Sequence, residues 1–223
     1  MFANEDIITQ PLFYLFIAFS FFLGLSFFWG RRSNHKIFLS AFNDLISVIK
    51  PSDQTFTNIG GLIGYHANFI PPKKNIIEQV DATITLLPRQ SMLYLPLSKL
   101  IRKYDRLFIT IHLKSAPVAE GHLIETGYAR FRGPKITNAD RMERVNIKWG
   151  GLDFFLYYEQ ERLRLKLLEF VQNNPDPGVV RHIAIVPRER RCFVFMIPLR
   201  GEVAKSFGPV YNWILSTLTA WGK

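Results

Sequence analysis

The feature that most constrains this chain is its first apolar run, Pro11 to Trp29 (PLFYLFIAFSFFLGLSFFW), nineteen residues without a charge and seven of them Phe. As a helix rising about 1.5 Å per residue it spans roughly 28 Å, close to the hydrocarbon thickness of a bilayer. No water lies in that layer to satisfy a backbone, so a crossing segment has to be helical. Glu5 and Asp6 precede the run, and Arg31, Arg32 and Lys36 follow it. Positive charge stays on the cytoplasmic side, which predicts an N-terminus outside and the rest of the chain inside. A cleaved signal peptide would call for a basic start, a shorter apolar core and a small-residue cleavage site. Here the start is acidic and the end is bulky and aromatic. Within the run, Ser20 and Gly24 make a small-xxx-small pair that can seat a partner helix, a spacing that such spans also carry incidentally.

The expected organisation is an extracytoplasmic N-terminus (1–10), a transmembrane helix (11–30) and a cytosolic basic domain (31–223). All 28 Lys and Arg fall after residue 30, with 16 of the 18 acids, so that part carries a charge of +12. Its length suffices for one domain with a real core. Such a charge beside the cytoplasmic leaflet suits two partners, anionic lipid and RNA, and does not choose between them. The single cysteine, Cys192, lies in an apolar run and reads as a buried core residue, which rules out a disulfide framework within one chain.

Periodicity and punctuation predict an α+β fold of about seven strands and four helices, with a mixed or antiparallel sheet. Ser33 or Asn34 can cap a helix over 35–49 with Phe38, Phe42, Leu45, Ile46 and Ile49 on one face. Strand-like segments follow at Thr55–Ile59, Tyr65–Ile70 and the second half of Ile76–Leu87, with Gly60, Gly61 and Gly64 read as a bent strand and Pro71 to Lys74 as a turn. Ser91–Tyr104 reads as a helix with Leu93, Leu97, Leu100, Ile101 and Tyr104 on one face and a late start or kink at Pro96. Arg106–Leu113, Gly121–Phe131 and Leu152–Tyr158 read as strands, residues 132–151 as polar and turn-rich, and Glu159–Val171 as a helix. Val179–Val186 and Cys192–Leu199 form a strand pair. A final amphipathic helix lies within Val203–Ala220, its regular part beginning at Pro209 and its cap at Gly222.

No catalytic template is met, so neither enzyme activity nor a cofactor is expected. His35, His66, His112, His122 and His182 show no HxxxH spacing, and a lone cysteine cannot build a thiolate metal site. There is no GxSxG elbow, and the glycines at 60–64 match neither the dinucleotide nor the Walker A pattern. His122 and Glu125, three apart on a strand, fall on opposite faces. His112 and His122, on strands predicted to be adjacent, either meet or remain two separate strand histidines. Asp81, Glu120 and Glu125 form no supported carboxylate pair.

Three basic clusters carry more information: Arg130, Arg132 and Lys135; Arg141, Arg144 and Lys148; and Arg188, Arg190 and Arg191 on a tight hairpin. Phosphate neutralisation needs projecting cations, and arginine adds bidentate geometry. Ordinary solvated loops account for them equally well. No RNP motif or KH-type GXXG loop accompanies them, so RNA recognition would be by shape and charge.

The order of elements resembles the calumin-like family, the coiled-coil-domain proteins of the PAT complex in the multipass translocon of the endoplasmic reticulum. Ser33-Asn34 opening an amphipathic segment that leads to Phe56-Thr57-Asn58-Ile59-Gly60 is similar to that family's Ser-Asn start and Phe-Thr-x-x-Gly end. Ala82–Lys103, with Pro88-Arg89-Gln90 and a Leu-rich helix, is similar to its strand, Lys-Arg-Gln and Leu-rich helix, and Asp105–Leu113 to the strand that follows. Arg191–Pro198 and the terminal helix are similar to its last strand and helix. The resemblance covers about residues 12–220 and implies one N-out membrane helix, a cytosolic α/β domain and a role in membrane-protein biogenesis. Its implied partners are the Sec translocon, a small Asterix-like membrane protein and the ribosome. The family continues into a long basic coiled coil, whereas this chain stops at Lys223, so ribosome contact would have to come from the basic loops. The brevity suggests a short prokaryotic or archaeal relative. Two other readings stand beside it: a module that holds anionic lipid through its basic loops, and an anchored enzyme with a polar pocket around His112, His122 and Glu125.

Overall fold

The protein is described here by a computed structural model covering residues 10–73, 76–131 and 133–219. Glu5, Asp6, Lys74, Arg132 and Gly222 lie outside those residues. The apolar run does not end in a new helix. A single helix, α1 (Pro11–Ile49), passes from the apolar run into the domain without a break. Pro11 sits in its first turn, where the missing N–H costs nothing. Lys50, in the left-handed region, closes its end with an N–H bond to the Ile46 carbonyl. Among the described residues α1 is the one helix long and apolar enough to cross a membrane. Its first half is almost wholly exposed, whereas Ile37, Ala41, Phe42, Leu45 and Ile49 in its second half are buried in the domain core.

The domain is one antiparallel sheet. Its strands are β1 (Asp53–Asn58), β2 (Gly64–Ile70), β3 (Ile77–Thr85), β4 (Arg106–Leu113), β5 (Gly121–Glu125), β6 (Glu143–Trp149), β7 (Leu152–Tyr158), β8 (Val180–Val186) and β9 (Arg191–Met196). They pair in the order β1-β2-β3-β4-β9-β8-β5-β7-β6. The remaining helices are α2 (Leu95–Arg102), α3 (Thr126–Phe131), α4 (Glu161–Asn173) and α5 (Val203–Thr219). One sheet face carries Ala67, Val80, Ile84, Ile109, Leu123, Leu156, Ile183 and Val194 and is covered by α4, α5 and the second half of α1. Truncating a fully buried member such as Leu45 to Ala would cost about 2–5 kcal/mol.

Several elements differ from the sequence reading for identifiable reasons. Gly60–Gly64 is the β1–β2 hairpin turn rather than a bent strand, and Gly61 there needs a φ of +62°. The strand from Gly121 stops at Glu125, because Thr126–Phe131 turns into α3 and lays Tyr128 against Phe195 at a ring separation of 4.3 Å. The polar stretch 132–151 contains β6, an edge strand. Its outward Arg144, Asn146 and Lys148 mask the inward alternation of Val145, Ile147 and Trp149, as expected of an edge guarded by charge. Helix α2 starts late, at Leu95 beside Pro96. By contrast α5 does not wait for Pro209: it begins at Val203 and carries the proline inside. Its first turn is held by α1, with Ser40 Oγ accepting from Gly201 N–H and Asp44 Oδ2 from Ala204 N–H.

The junction between α1 and the sheet is a buried polar knot. Asn34, read as a helix cap, is instead 1% exposed in the middle of α1. Its amide donates to the Leu87 carbonyl at 3.0 Å and to Gln90 Oε1 at 3.2 Å, and its Oδ1 accepts from Arg89 Nη1 at 3.0 Å. Arg89 in turn grips Asp105 with two bonds, 2.8 and 2.7 Å, and Asp105 Oδ1 also accepts from Leu87 N–H at 2.7 Å. One turn earlier, a Cβ on Gly30 would lie 2.1 Å from the Arg89 carbonyl oxygen, so only glycine permits this approach. Asp105→Ala would leave a partly buried guanidinium and a buried N–H without their acceptor. A loss of about 3 kcal/mol is expected, read as a lower urea midpoint for the detergent-solubilised full chain, with Asp105→Asn intermediate.

Candidate functional site

The face of the sheet turned away from α1, α4 and α5 collects the polar chemistry. Period-two alternation puts His66, Asp81, Thr83, His112, His122, His182, Phe108, Phe155 and Phe195 on it. Two clusters form there. On β2, β3 and β4, Asp81 accepts from Asn68 and Gln79, each at 2.9 Å, and meets His112 Nε2 at 2.7 Å. His112 and His122 do not meet, because β9 and β8 lie between their strands. Glu125 turns to Arg181, 3.9 Å away, and shares nothing with His122.

The second cluster lies under a strap formed by residues 133–137, which crosses the open face after α3. A cavity of about 520 Å³ opens beneath it, floored by Phe108, Phe193 and Phe195 and walled by Glu120, His122, His182, Tyr128, Arg106 and Lys135. Asn138 donates to Glu120 Oε2 at 2.8 Å. Glu120 Oε1 lies 3.3 Å from His122 Nε2, and His122 Nδ1 lies 3.3 Å from His182 Nε2. A carboxylate only accepts, so His122 presents Nε2–H to Glu120 and its bare Nδ1 accepts from His182 Nε2–H, leaving His182 Nδ1 as an acceptor. Burial holds the His122 pKa below its usual value against the pull of Glu120. It pushes His182 down to about 3, with neighbouring His122 adding to the shift. Both imidazoles are therefore neutral near pH 7. Arg106 Nε is buried beside the cavity without a hydrogen-bond partner. Cys192 points to the other face, where burial pushes its thiol up to about 12 and removes it as a nucleophile. Among the described residues no group of three or more His, Cys, Asp and Glu side chains could hold a metal ion.

The basic residues regroup in space. Arg130 and Arg144, from two different sequence clusters, converge on the Phe155 ring at 5.9 and 5.0 Å. Lys148 is exposed four residues beyond Arg144 on the same face of β6, and Lys135 is exposed at the cavity rim. Arg141, at the end of a 3-10 turn, lines a hollow of about 220 Å³ together with Arg188. Arg190 holds the β8–β9 turn at a φ of +52°, where a side chain costs about 1 kcal/mol relative to glycine. Arg191 projects less than its spacing suggested, since it is paired with Glu189 at 3.3 Å. This hairpin sits at the opposite end of the strands from the Asn34 knot. β9 alone, six residues at about 3.3 Å each, puts roughly 20 Å between them. On α1 the Ser20/Gly24 face is left open, with nothing within 4 Å of a Cβ placed on Gly24. The convergence of Glu120, His122 and His182 was missed in sequence because it depends on β5 and β8 pairing across 60 residues; the spacing of His122 two residues after Glu120 was its one local trace.

No protein-family model matches the chain, and no curated protein sequence compared with it matches either.

The buried histidines make stability depend on pH with a defined sign. Below about pH 6.5 the unfolded chain takes up a proton that folded His182 refuses, so stability present above that pH falls as pH drops toward 3, by up to about 1.4 kcal/mol per unit. Denaturant unfolding at pH 7 and pH 5 should show the native chain losing about 2 kcal/mol more than His182→Gln over that interval. Parallel pH curves for the two proteins would contradict this.

Proposed function

We propose that this chain is a single-pass, N-out membrane protein whose cytoplasmic domain acts without catalysis as a membrane-protein biogenesis factor, docked beside the Sec translocon and the ribosome while multi-spanning proteins insert. The observation that carries this reading is the uninterrupted passage of α1 from the apolar run into the domain core, locked by Asn34. A tethered enzyme needs only a linker. A strut of about 30 Å beyond residue 30 sets the domain's far edge at one height above the bilayer. Fixed height matters when the partners, a channel and the ribosome on it, are themselves fixed there. The exposed Arg141, Arg188 and Arg190 on that edge suit a cytosolic polyanion such as ribosomal RNA, and stand too far from the junction to serve the bilayer that α1 would cross. A small membrane protein of the Asterix type would pack on the open Ser20/Gly24 face.

A second reading, small-molecule chemistry in an anchored domain, is favoured by the cavity with Glu120, His122 and His182 on one wall and the unpaired Arg106 Nε beside it. Native mass spectrometry of the gently purified full chain separates the two. A bound small molecule lost in His122→Phe supports the second reading.

Affinity capture of the tagged protein from gently solubilised membranes should recover Sec subunits, ribosomes and a small membrane protein. Recovery of none of them would sink the proposal. Arg188→Glu with Arg190→Gly, which relieves the left-handed turn, should weaken ribosome co-sedimentation and flatten its salt dependence while leaving Sec recovery unchanged.

A further inference from the structure

The segment Pro88–Tyr104 leaves the sheet after β3 and returns to β4, and its two ends are pinned together where Arg89 grips Asp105. The same knot sits against Gly30 and Asn34 of α1. The whole excursion is therefore fixed at the level where α1 leaves its apolar run, next to Trp29, which is 81% exposed. The excursion carries α2, and α2 hides almost nothing. Only Ser98 is buried, while Leu93, Leu97, Leu100 and Ile101 are 70%, 51%, 77% and 59% exposed and Met92 and Tyr94 are exposed beside them. An eight-residue helix is too short to hold itself in water. Contiguous apolar exposure of this kind on a domain marks a surface that something else covers.

We infer that Met92–Arg102 is an interfacial membrane element: α2 lies along the headgroup–acyl boundary of the bilayer that α1 crosses, apolar side chains inward, and favours anionic lipid. This rests on reading α1 as a membrane span. Three observations select a bilayer as the occupant. The patch begins at Met92, two residues after Gln90, whose backbone lies against Gly30 beside the exposed Trp29. Its height is set by backbone contact with Gly30. Lys99, Arg102 and Lys103 end the helix, and Arg31 and Arg32 stand exposed at the same level, where lipid phosphates lie. A leucine-rich surface edged by lysine and arginine, with Trp and Tyr beside it, has the composition of an interfacial anchor. The domain would then rest on the membrane at two points, the exit of α1 and α2, which fixes its rotation about α1 as well as its height.

The test uses the full chain reconstituted in phosphatidylcholine vesicles with and without phosphatidylglycerol. Single labels of an environment-sensitive fluorophore are placed through Phe19→Cys, Leu97→Cys, Leu100→Cys and Lys114→Cys, the buried Cys192 being unreactive. Labels at 97 and 100 should be blue-shifted and quenched by a nitroxide lipid with a shallow spin label, more strongly with phosphatidylglycerol present, while the label at 114 on the far edge stays unquenched. Quenching at 19 by a deep nitroxide with none at 97 and 100 would overturn the inference and leave the span standing. Labels at 97 and 100 shielded from iodide yet untouched by either nitroxide lipid would overturn it too, in favour of a protein cover such as a second copy. No quenching at 19 would overturn both readings.

Discussion

The contact on which the rest depends is the one between Asn34 and the loop after β3. An amide buried in the middle of a helix is costly unless its donors and acceptor are satisfied, and here Leu87, Gln90 and Arg89 satisfy them. Asp105 completes the set by neutralising Arg89 and taking the Leu87 N–H. Because Gly30 has no side chain, the loop backbone reaches α1 one turn earlier as well. A helix tied to a sheet by apolar contacts alone can slide. Directional bonds at one end of a long apolar interface set its register, and with it the height at which the sheet stands on α1.

From that register the two ends of the strands carry different surfaces. The end at the knot holds the β1–β2 turn, the α2 excursion and the link from β9 to α5, and its exposed residues include Leu93, Leu97, Leu100, Ile101, Lys99 and Arg102. The opposite end holds the β8–β9 turn, and its exposed residues include Arg188 and Arg190. Between them the open face carries a neutral histidine pair in a cavity under the 133–137 strap. A positive φ at Arg190 and an orphaned Arg106 Nε are small local costs, and both fall on these surfaces rather than in the helix-covered core.

Much of this was legible in the order of residues. The LFITIHL alternation gave β4, the two apolar runs around Pro187–Arg191 gave β8 and β9, and the 163, 167, 170, 171 spacing gave α4. What stayed hidden shares a cause. A guarded edge strand such as β6 looks like a loop, because its charges face water. The short α3 looks like a continued strand, because the contact that bends it, Tyr128 on Phe195, is far away in sequence. Ser33-Asn34 looks like a cap, because a buried polar partner cannot be seen from one side of the pair.

The sequence by itself determined that a charge-free helix of membrane length precedes a basic α+β domain with a single inert cysteine, since those properties follow from composition and local periodicity. Only the tertiary structure decided that the helix continues through residue 34, that the basic residues of separate stretches meet around Phe155 and beside Arg188, and that α2 is left uncovered at the junction. The physical reason is that period and propensity act over a few residues, whereas register, burial of a polar side chain and the grouping of charge are set by strands that pair across tens of residues.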